Sequence, residues 1–452
     1  MYNHLDYWAL YLGITQMGAI AVRLNFRLTA DELQFMLNDS GTSVLCADTE
    51  LLERIEEIRQ DLQVRHFVNH VPKENNRLDW AHDWAELWDE NAAELDLMTP
   101  EGTDPAMIMY TSGTTGTPKG AVWSHANTMW FAAMQSIQWQ LTPERVGMTT
   151  GPLYHVGAME DLAVALLSVG GHVVMTRSGD FSMRRTVDII HHHDVADVLL
   201  LPFMIYQFIE DVEFDASKWS SVRNLMSGGD PVLPHAIEWL GSHLPNVQFA
   251  QVYGLTEGTP IAACSSGDDA QRFSNSVGRP LPFVEILIRD DDGRLMPKGE
   301  RGEIWTRSPS VCSEYWNRPE ATLATFVDGW CRTGDSGYVN EEGRLVVAGR
   351  TKDMIRSGGE NIYAAELEAV LIRHPEVQDV SIIGIPDPRF TESVCAVIVR
   401  AAGSTVTSDD IVAYSRRHLA GFKTPRSIHF VNELPRTASG KVLKYKLRER
   451  FS

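Results

Sequence analysis

The chain reads as an α/β protein, with a large first domain of stacked α/β layers and a β-rich subdomain, followed by a small α+β domain. Three observations predict this. At 452 residues it exceeds one ordinary domain. Between Ala106 and about Asp335, short apolar runs rich in β-formers alternate with segments of helical period, the pattern of largely parallel sheets. Behind that, hydrophobic periodicity restarts and describes a module with its own core.

The elements follow in chain order. Ala106–Met109 is a short buried strand, and His172–Thr176, after a glycine pair, is another. Val195–Leu201 reads as a buried strand closed by Pro202, whose missing N–H stops a ladder. Gln248–Tyr253 reads likewise. Phe283–Ile288, the turn Asp291–Arg294 and Gly302–Thr306 form a hairpin-rich section. In the last module Ala364–Arg373 carries Leu367, Val370 and Leu371 at helical spacing and stops at His374-Pro375. Strands Val377–Ile385 and Ser393–Arg400 follow, and Thr407 or Ser408 caps a helix running to about His418. His191-His-His193 suggests a metal site at first glance, but no partner cluster accompanies it, and an exposed helix end is the expectation.

Hydrophobic content of 44% with 22% charged residues describes a globular chain with ample core. No apolar stretch is long enough to span a bilayer, and no basic region precedes the first apolar stretch. The five cysteines are scattered, without metal-ligand spacing, which points to reduced thiols and a cytoplasmic location. A net charge of −20 argues against general nucleic-acid binding. Positive charge gathers instead near the C-terminus, from Lys423 to Arg450.

The run Tyr110-Thr-Ser-Gly-Thr-Thr-Gly-Thr-Pro-Lys119-Gly120 follows the strand at 106–109. Its glycines let consecutive N–H groups point inward, its hydroxyls add donors and Lys119 adds charge, a combination suited to phosphate oxygens. It is not the common nucleotide loop, because Pro118 stands where the second glycine of that template belongs. Four further segments follow in order: Tyr253-Gly-Leu-Thr-Glu257, Trp330-Cys-Arg-Thr-Gly-Asp335, Gly349-Arg-Thr-Lys-Asp353 and Pro435-Arg-Thr-Ala-Ser-Gly-Lys441.

With the loop, this ordered set closely resembles the signature motifs of the adenylate-forming (ANL) superfamily of acyl-CoA synthetases, over essentially the whole chain. The resemblance implies an ATP-dependent ligase that converts a carboxylic acid to acyl-AMP and then to acyl-CoA, with ATP, Mg²⁺ and coenzyme A as cofactors and substrates. It implies a large domain over 1–349, a hinge at 350–353 and a small mobile domain over 354–452. Thr111, Ser112, Gly113, Thr114, Thr115, Gly116 and Lys119 would hold the β- and γ-phosphates. Glu257 would bind Mg²⁺, with Thr256 beside it on phosphate. Tyr253 and Gly254, with Gly228, Gly229 and Asp230, would contact adenine. Asp230 departs from the family pattern, where alanine or glutamate is commoner.

Asp335 would accept both ribose hydroxyls, and Arg350 would reach the ribose or phosphate. Lys441 would bridge the substrate carboxylate and α-phosphate during adenylation. Lys352 matches the hinge residue. Ser357, Gly358 and Gly359 match the loop lining the pantetheine tunnel. His155 matches a position flanking the acyl carboxylate, where it could orient the acid or simply be a packed core histidine. Tyr154, Gly157, Met226, Pro260 and Ile261 would line the acyl pocket. Small residues at Gly228, Gly229 and Gly254 leave room for a bulky or long acyl chain rather than acetate; a medium or long fatty acid is the first expectation, with an aryl or 4-coumarate-type acid as the alternative.

The opening segment, Trp8–Asn25 followed by Leu28–Glu32, resembles a stretch that lies well inside the large domain of relatives. Such a start would expose apolar surface and sheet edges, from which self-association into a homo-oligomer or a covering partner is expected. No carrier-domain sequence follows Ser452, which favours free CoA as acceptor over a carrier protein. A truncated, non-catalytic nucleotide-binding protein is the reading from another class, and the presence of Lys119, Glu257, Asp335 and Lys441 argues against it.

Overall fold

The computed structural model describes residues 1–70, 78–88, 99–111, 118–178, 181–211, 213–350, 353–357, 360–387, 390–419, 421–436 and 440–452. By internal contacts the chain forms two compact units: residues 1–287 with 305–333, and residues 288–304 with 334–452.

The expected alternation of strands and helices organises the first unit. Its largest sheet has the order Arg279–Pro280, Thr259–Ser266, Gln248–Leu255, Asn224–Ser227, Asp197–Leu199, Val146–Thr149, His172–Met175. Pairing is parallel from Gln248–Leu255 outward to His172–Met175 and antiparallel at Thr259–Ser266 and Arg279–Pro280. Both faces are covered, as all-parallel runs require. Leu225, Val198 and Phe249 pack with one buried cluster that includes Ile190, Phe208 and Ile237 of the flanking helices. Their chain neighbours Met226, Leu199 and Ala250 pack with another, around Trp123, Phe131 and Leu162. Adjacent residues facing opposite cores is the two-residue period of a strand. Pro202 opens the helix Pro202–Ile209 at its first position, where a missing N–H costs nothing.

A second sheet orders Ala21–Arg23, Pro105–Thr111, Lys119–Ser124 and Glu314–Tyr315. Within it, Thr111 stands opposite Lys119 across the antiparallel pair. A small parallel sheet of Val44–Ala47, His66–Asn69 and His82–Asp83, absent from the sequence reading, has its own core around Leu37, Leu52 and Phe67. The triplet His191–His193 is exposed at the C-terminal end of the helix Met183–His192, as expected.

In the second unit, Glu360–Tyr363, Met354–Ser357, Thr391–Arg400 and Val377–Asp387 form an antiparallel sheet, with Ser427–Val431 added parallel to Thr391–Arg400. The helices Ala364–Leu371 and Ser408–His418 contribute Leu367, Leu371 and Ile411 to the core against this sheet. Thr407 caps the second helix through a reciprocal capping box with Asp410. The hairpin section is more involved than the sequence suggests, since Glu285–Arg289, Gly302–Arg307 and Trp330–Val339 each cross the division between the units. Contacts thus divide the chain earlier than position 350. Among the described residues, no helix is long and apolar enough to cross a membrane.

One buried ion pair ties the start of the first unit to its centre. Arg23 Nη2 donates to Glu160 Oε2 at 2.6 Å, with both side chains almost wholly buried. Arg23 Nη1 donates to the Leu153 carbonyl at 2.9 Å. Removing one member of such a pair strands a charge in the interior. We expect Arg23→Met to lower stability by about 3–5 kcal/mol. Arg23→Met combined with Glu160→Met should recover most of that loss in chemical denaturation monitored by fluorescence. Equal loss in the single and double variants would exclude the pair as the cause.

Candidate active site

Two stretches far from it in sequence converge on Glu257. Thr111, the last residue of its strand, donates from Oγ1 to Glu257 Oε1 at 2.8 Å. Tyr315 donates its phenol proton to the same oxygen at 3.0 Å. Lys119 Nζ stands 5.3 Å from the centre of the Tyr315 ring, within cation–π range. Burial and the Glu257 carboxylate both push the Tyr315 phenol pKa upward, so it stays a proton donor. The backbone of the turn is held as well. Trp123 Nε1 donates to the Thr256 carbonyl at 3.0 Å, and the Cys312 N–H to the Glu257 carbonyl at 2.9 Å. Glu257 is 8% exposed.

This arrangement brings together three expected residues: Thr111, Lys119 and Glu257. The loop between them, including Ser112, Gly113, Thr114, Thr115 and Gly116, lies outside the described residues. Tyr315 was not legible as a site residue. It lies on the two-residue strand Glu314–Tyr315, opposite Ala121, and nothing in its local pattern marks a carboxylate partner 58 positions away.

The expected adenine and acyl segments sit at the ends of the large sheet's central strands. Met226 and Ile261 are fully buried in one cluster, while Gly229 and Asp230 are exposed just beyond Asn224–Ser227. Tyr253 is half-buried and stands opposite Ala263. The register shifts between Tyr253 and Leu255, and Gly254 lies in that bulge.

The glycines need a correction. A Cβ at Gly254 would meet the Thr259 and Pro260 carbonyl oxygens at 2.2 and 2.4 Å. A Cβ at Gly228 would meet Val252 Cγ2 at 2.5 Å and the Val252 carbonyl oxygen at 2.8 Å. These two are glycine because neighbouring backbone occupies the Cβ space, so neither by itself leaves room for an acyl chain. Gly229 is different, with open space around it and φ of +88°.

Tyr154 is buried, edge-on to Phe26 at 5.6 Å. His155 is exposed, which rules out the packed-core alternative. Its Nδ1 accepts from the Gly157 N–H at 3.0 Å and caps the short helix Val156–Met159. After that turn the chain breaks helical geometry at Asp161 (φ −72°, ψ 106°) and Leu162 (φ 81°, ψ −53°). Gln135 ties down the irregular backbone, donating to the Glu160 carbonyl at 2.7 Å and accepting from the Leu162 N–H at 2.7 Å.

In the second unit, Asp335 is 6% exposed and its backbone stands opposite Arg350 in the pairing of Trp330–Val339 with Leu345–Arg350. Ser357 is buried at the end of its strand. Lys352, Gly358 and Gly359 lie outside the described residues. Lys441 is exposed beside Val442, which bridges to Arg436. Arg436 donates to the Gly440 carbonyl at 2.6 Å and to Asp379 at 2.5 Å.

Known proteins resemble this chain over nearly its whole length. Residues 1–316 match the AMP-binding enzyme family and residues 366–441 its C-terminal domain. The chain is 36% identical over 451 residues to a feruloyl-CoA synthase of an Amycolatopsis species, covering 99% of this chain and 87% of that protein. It is 35% identical over 458 residues to the long-chain-fatty-acid–CoA ligase FadD13 of Mycobacterium tuberculosis, covering 100% and 87%. The solved structure of the amide bond synthetase McbA from Marinactinospora thermotolerans superposes with a TM-score of 0.88 at 30% identity, covering 100% of this chain and 88% of that one. The chain therefore belongs to the adenylate-forming acyl-CoA synthetase family of AMP-binding enzymes and is an AMP-forming acid–thiol ligase.

Proposed function

We propose that the protein activates a bulky, largely apolar carboxylic acid with ATP to an acyl-AMP and passes the acyl group to the thiol of coenzyme A. The convergence of Thr111 and Tyr315 on Glu257, with Lys119 over the Tyr315 ring at the other end of the glycine-rich loop, carries this reading. In the first step a carboxylate oxygen attacks the α-phosphorus and pyrophosphate leaves. In the second, the CoA sulfur attacks the acyl carbon and the bond to AMP breaks. Both reactants of the first step are anions, so the chain must supply charge neutralisation and alignment.

Lys119 and the loop 111–119 would hold the β- and γ-phosphates. The donor set fits a hard divalent cation: Glu257 offers one carboxylate, and Mg²⁺ commonly keeps few protein ligands and several waters. When bound, that ion offsets phosphate charge. Thr111 and Tyr315 would fix the carboxylate's orientation by occupying Oε1. Tyr253 and the segment 228–230 would face adenine. Asp335 would accept both ribose hydroxyls with Arg350 nearby, and His155 would flank the acid's carboxylate. Lys441 would bridge carboxylate and α-phosphate. Rotation at the hinge 350–353, with Lys352 in it, would then exchange Lys441 for Ser357, Gly358 and Gly359, which would line the pantetheine path.

The acid belongs to the fatty or aryl class. Room for a bulky or long acyl chain is expected at three glycines, and two of them are packing positions. The relatives include one named for a long-chain fatty acid and one named for feruloyl-CoA, so both classes are carried forward.

We expect purified protein with ATP and Mg²⁺ to release pyrophosphate only when a suitable acid is present, and to form thioester only when CoA is added. A folded preparation that gives no acid-dependent pyrophosphate across a broad fatty and aryl panel refutes the reading. Tyr315→Phe removes one of the two donors to Glu257, so the Mg²⁺ concentration giving half-maximal rate should rise by roughly tenfold or more. The KM for the acid should stay unchanged, and a shift in the acid KM alone would assign Tyr315 elsewhere. Lys441→Ala should slow acyl-AMP formation by on the order of a hundred- to a thousandfold, as when one electrostatic stabiliser is lost. It should leave conversion of supplied acyl-AMP to thioester near the wild-type rate, while Gly358→Leu should do the reverse. Single-turnover assays of the two half-reactions decide this, and equal loss of both in the Lys441 variant would refute domain alternation.

A further inference from the structure

Where the helix Leu5–Gln16 begins, it meets the end of the strand His66–Asn69 at a cluster of imidazoles and carboxylates that the acid-activation chemistry does not use. His4, Asp6 and His70 each bring one ligand-type atom within 4.8 Å of the other two. Asp6 Oδ2 lies 2.9 Å from His70 Nε2 and 3.2 Å from His4 Nδ1, and the centres of the two imidazole rings are 4.9 Å apart. Around a tetrahedral Zn²⁺ with bonds of about 2.0–2.2 Å, neighbouring ligand atoms are separated by roughly 3.3 Å. The Asp6 oxygen already stands near that spacing from both rings.

His70 is already oriented. It directly follows its strand, its N–H donates to the Ala47 carbonyl at 2.9 Å, and it is buried. Its Nδ1 is 3.0 Å from Asp48 Oδ1, and the other Asp48 oxygen accepts the Tyr2 N–H at 2.7 Å. A carboxylate on one ring nitrogen fixes the tautomer and aims the other nitrogen, which is how proteins hold a metal-binding imidazole. The Trp84 ring stands edge-on to His70 at 5.2 Å. His4 caps the helix, and its Nδ1 accepts the Asp6 N–H at 3.1 Å, which requires a lone pair on that nitrogen. Metal binding would trade this bond for one to the ion. The His4 side chain is 53% exposed, which gives an ion a route in from solvent.

We propose that His4, Asp6 and His70 form a binding site for a borderline divalent cation such as Zn²⁺, with water completing its coordination. Two imidazoles and a single carboxylate select such an ion over Mg²⁺, which takes oxygen ligands. Asp6 as ligand and Asp48 behind His70 supply two negative charges against the ion's two. The site shares no residue with the Glu257 carboxylate and does not rest on the acid-activation reading. Its ligands lie 64 positions apart in the chain, so a bound ion would staple the start of the first helix to the small parallel sheet. Without an ion, the same distances describe an imidazole hydrogen-bonded between two carboxylates.

Metal titration of the full chain, untagged and stripped with a chelator, tests this. The exposed triplet His191–His193 offers imidazoles of its own, so the titrations use a parent protein in which all three are alanine. Calorimetry with Zn²⁺ should show one equivalent bound, Co²⁺ should give the visible bands of a four-coordinate ion, and excess Zn²⁺ should raise the Tm. His4→Asn keeps a helix-capping oxygen but removes the imidazole, so it should fold, weaken Zn²⁺ binding by roughly tenfold or more and lose the Tm rise. Asp48→Asn, which touches no ion, should weaken binding by about ten- to a hundredfold. Absence of a Zn²⁺ equivalent in the parent protein overturns the proposal and leaves the cluster a hydrogen-bonded relay. So does an equivalent, or a Tm rise, that His4→Asn leaves unchanged.

Discussion

Two hydroxyl protons shared by one carboxylate oxygen hold the site's architecture together. Glu257 Oε1 accepts from Thr111, which ends the strand before the glycine-rich loop, and from Tyr315, which comes from the returning segment at the edge of the same sheet. Removing a carboxylate from water is costly, and hydrogen bonds to the ionised form are among the stronger ones available. The backbone of the same turn is pinned from the same two directions, by Trp123 and by Cys312. The side chain and main chain of the Thr256–Glu257 turn are therefore fixed together. The two ends of the loop, opposed at Thr111 and Lys119, inherit that fixed reference.

Much of the fold was legible because it depends on local rules. Pro202 marks the end of one element and the start of the next, since it lacks an N–H whichever way the chain continues. Thr407 announces its helix through a reciprocal bond with a residue three positions on. Glu257, Asp335 and Lys441 were recognisable only by their ordered motifs, since a single carboxylate or lysine carries no local signature. What escaped was of longer range. The Arg23–Glu160 pair joins residues 137 positions apart, and Tyr315 meets Glu257 across 58. The break at Leu162 runs against the propensity of an apolar segment that otherwise looks helical. Hydrophobic period reports which face is buried and is silent on which polar atoms meet there.

Charge shows the same division. The concentration of Lys and Arg near the C-terminus suggested a counterweight to a net charge of −20. Within the second unit, however, Lys423 pairs with Glu366, Arg436 with Asp379, Lys444 with Glu368 and Arg448 with Asp353. Four of the basic residues thus serve to knit helices and strands of one module together. The positive field available to an anion is smaller than the composition implies, and attraction of ATP depends more on a few placed groups than on a diffuse basic surface.

The glycines also set limits on how this site can change over evolutionary time. At Gly228 and Gly254 the space for a methyl group is filled by main-chain atoms of adjoining strands, which cannot move aside without dismantling the sheet. Any drift that samples substitutions there is purged for folding reasons before the acid it would prefer matters. At Gly157 the nearest obstacle is the ring of exposed His155 at 3.1 Å, a side chain able to swing away, and then Asp161 at 3.7 Å. A substitution at Gly157 therefore meets side chains, whereas one at Gly228 or Gly254 meets main chain.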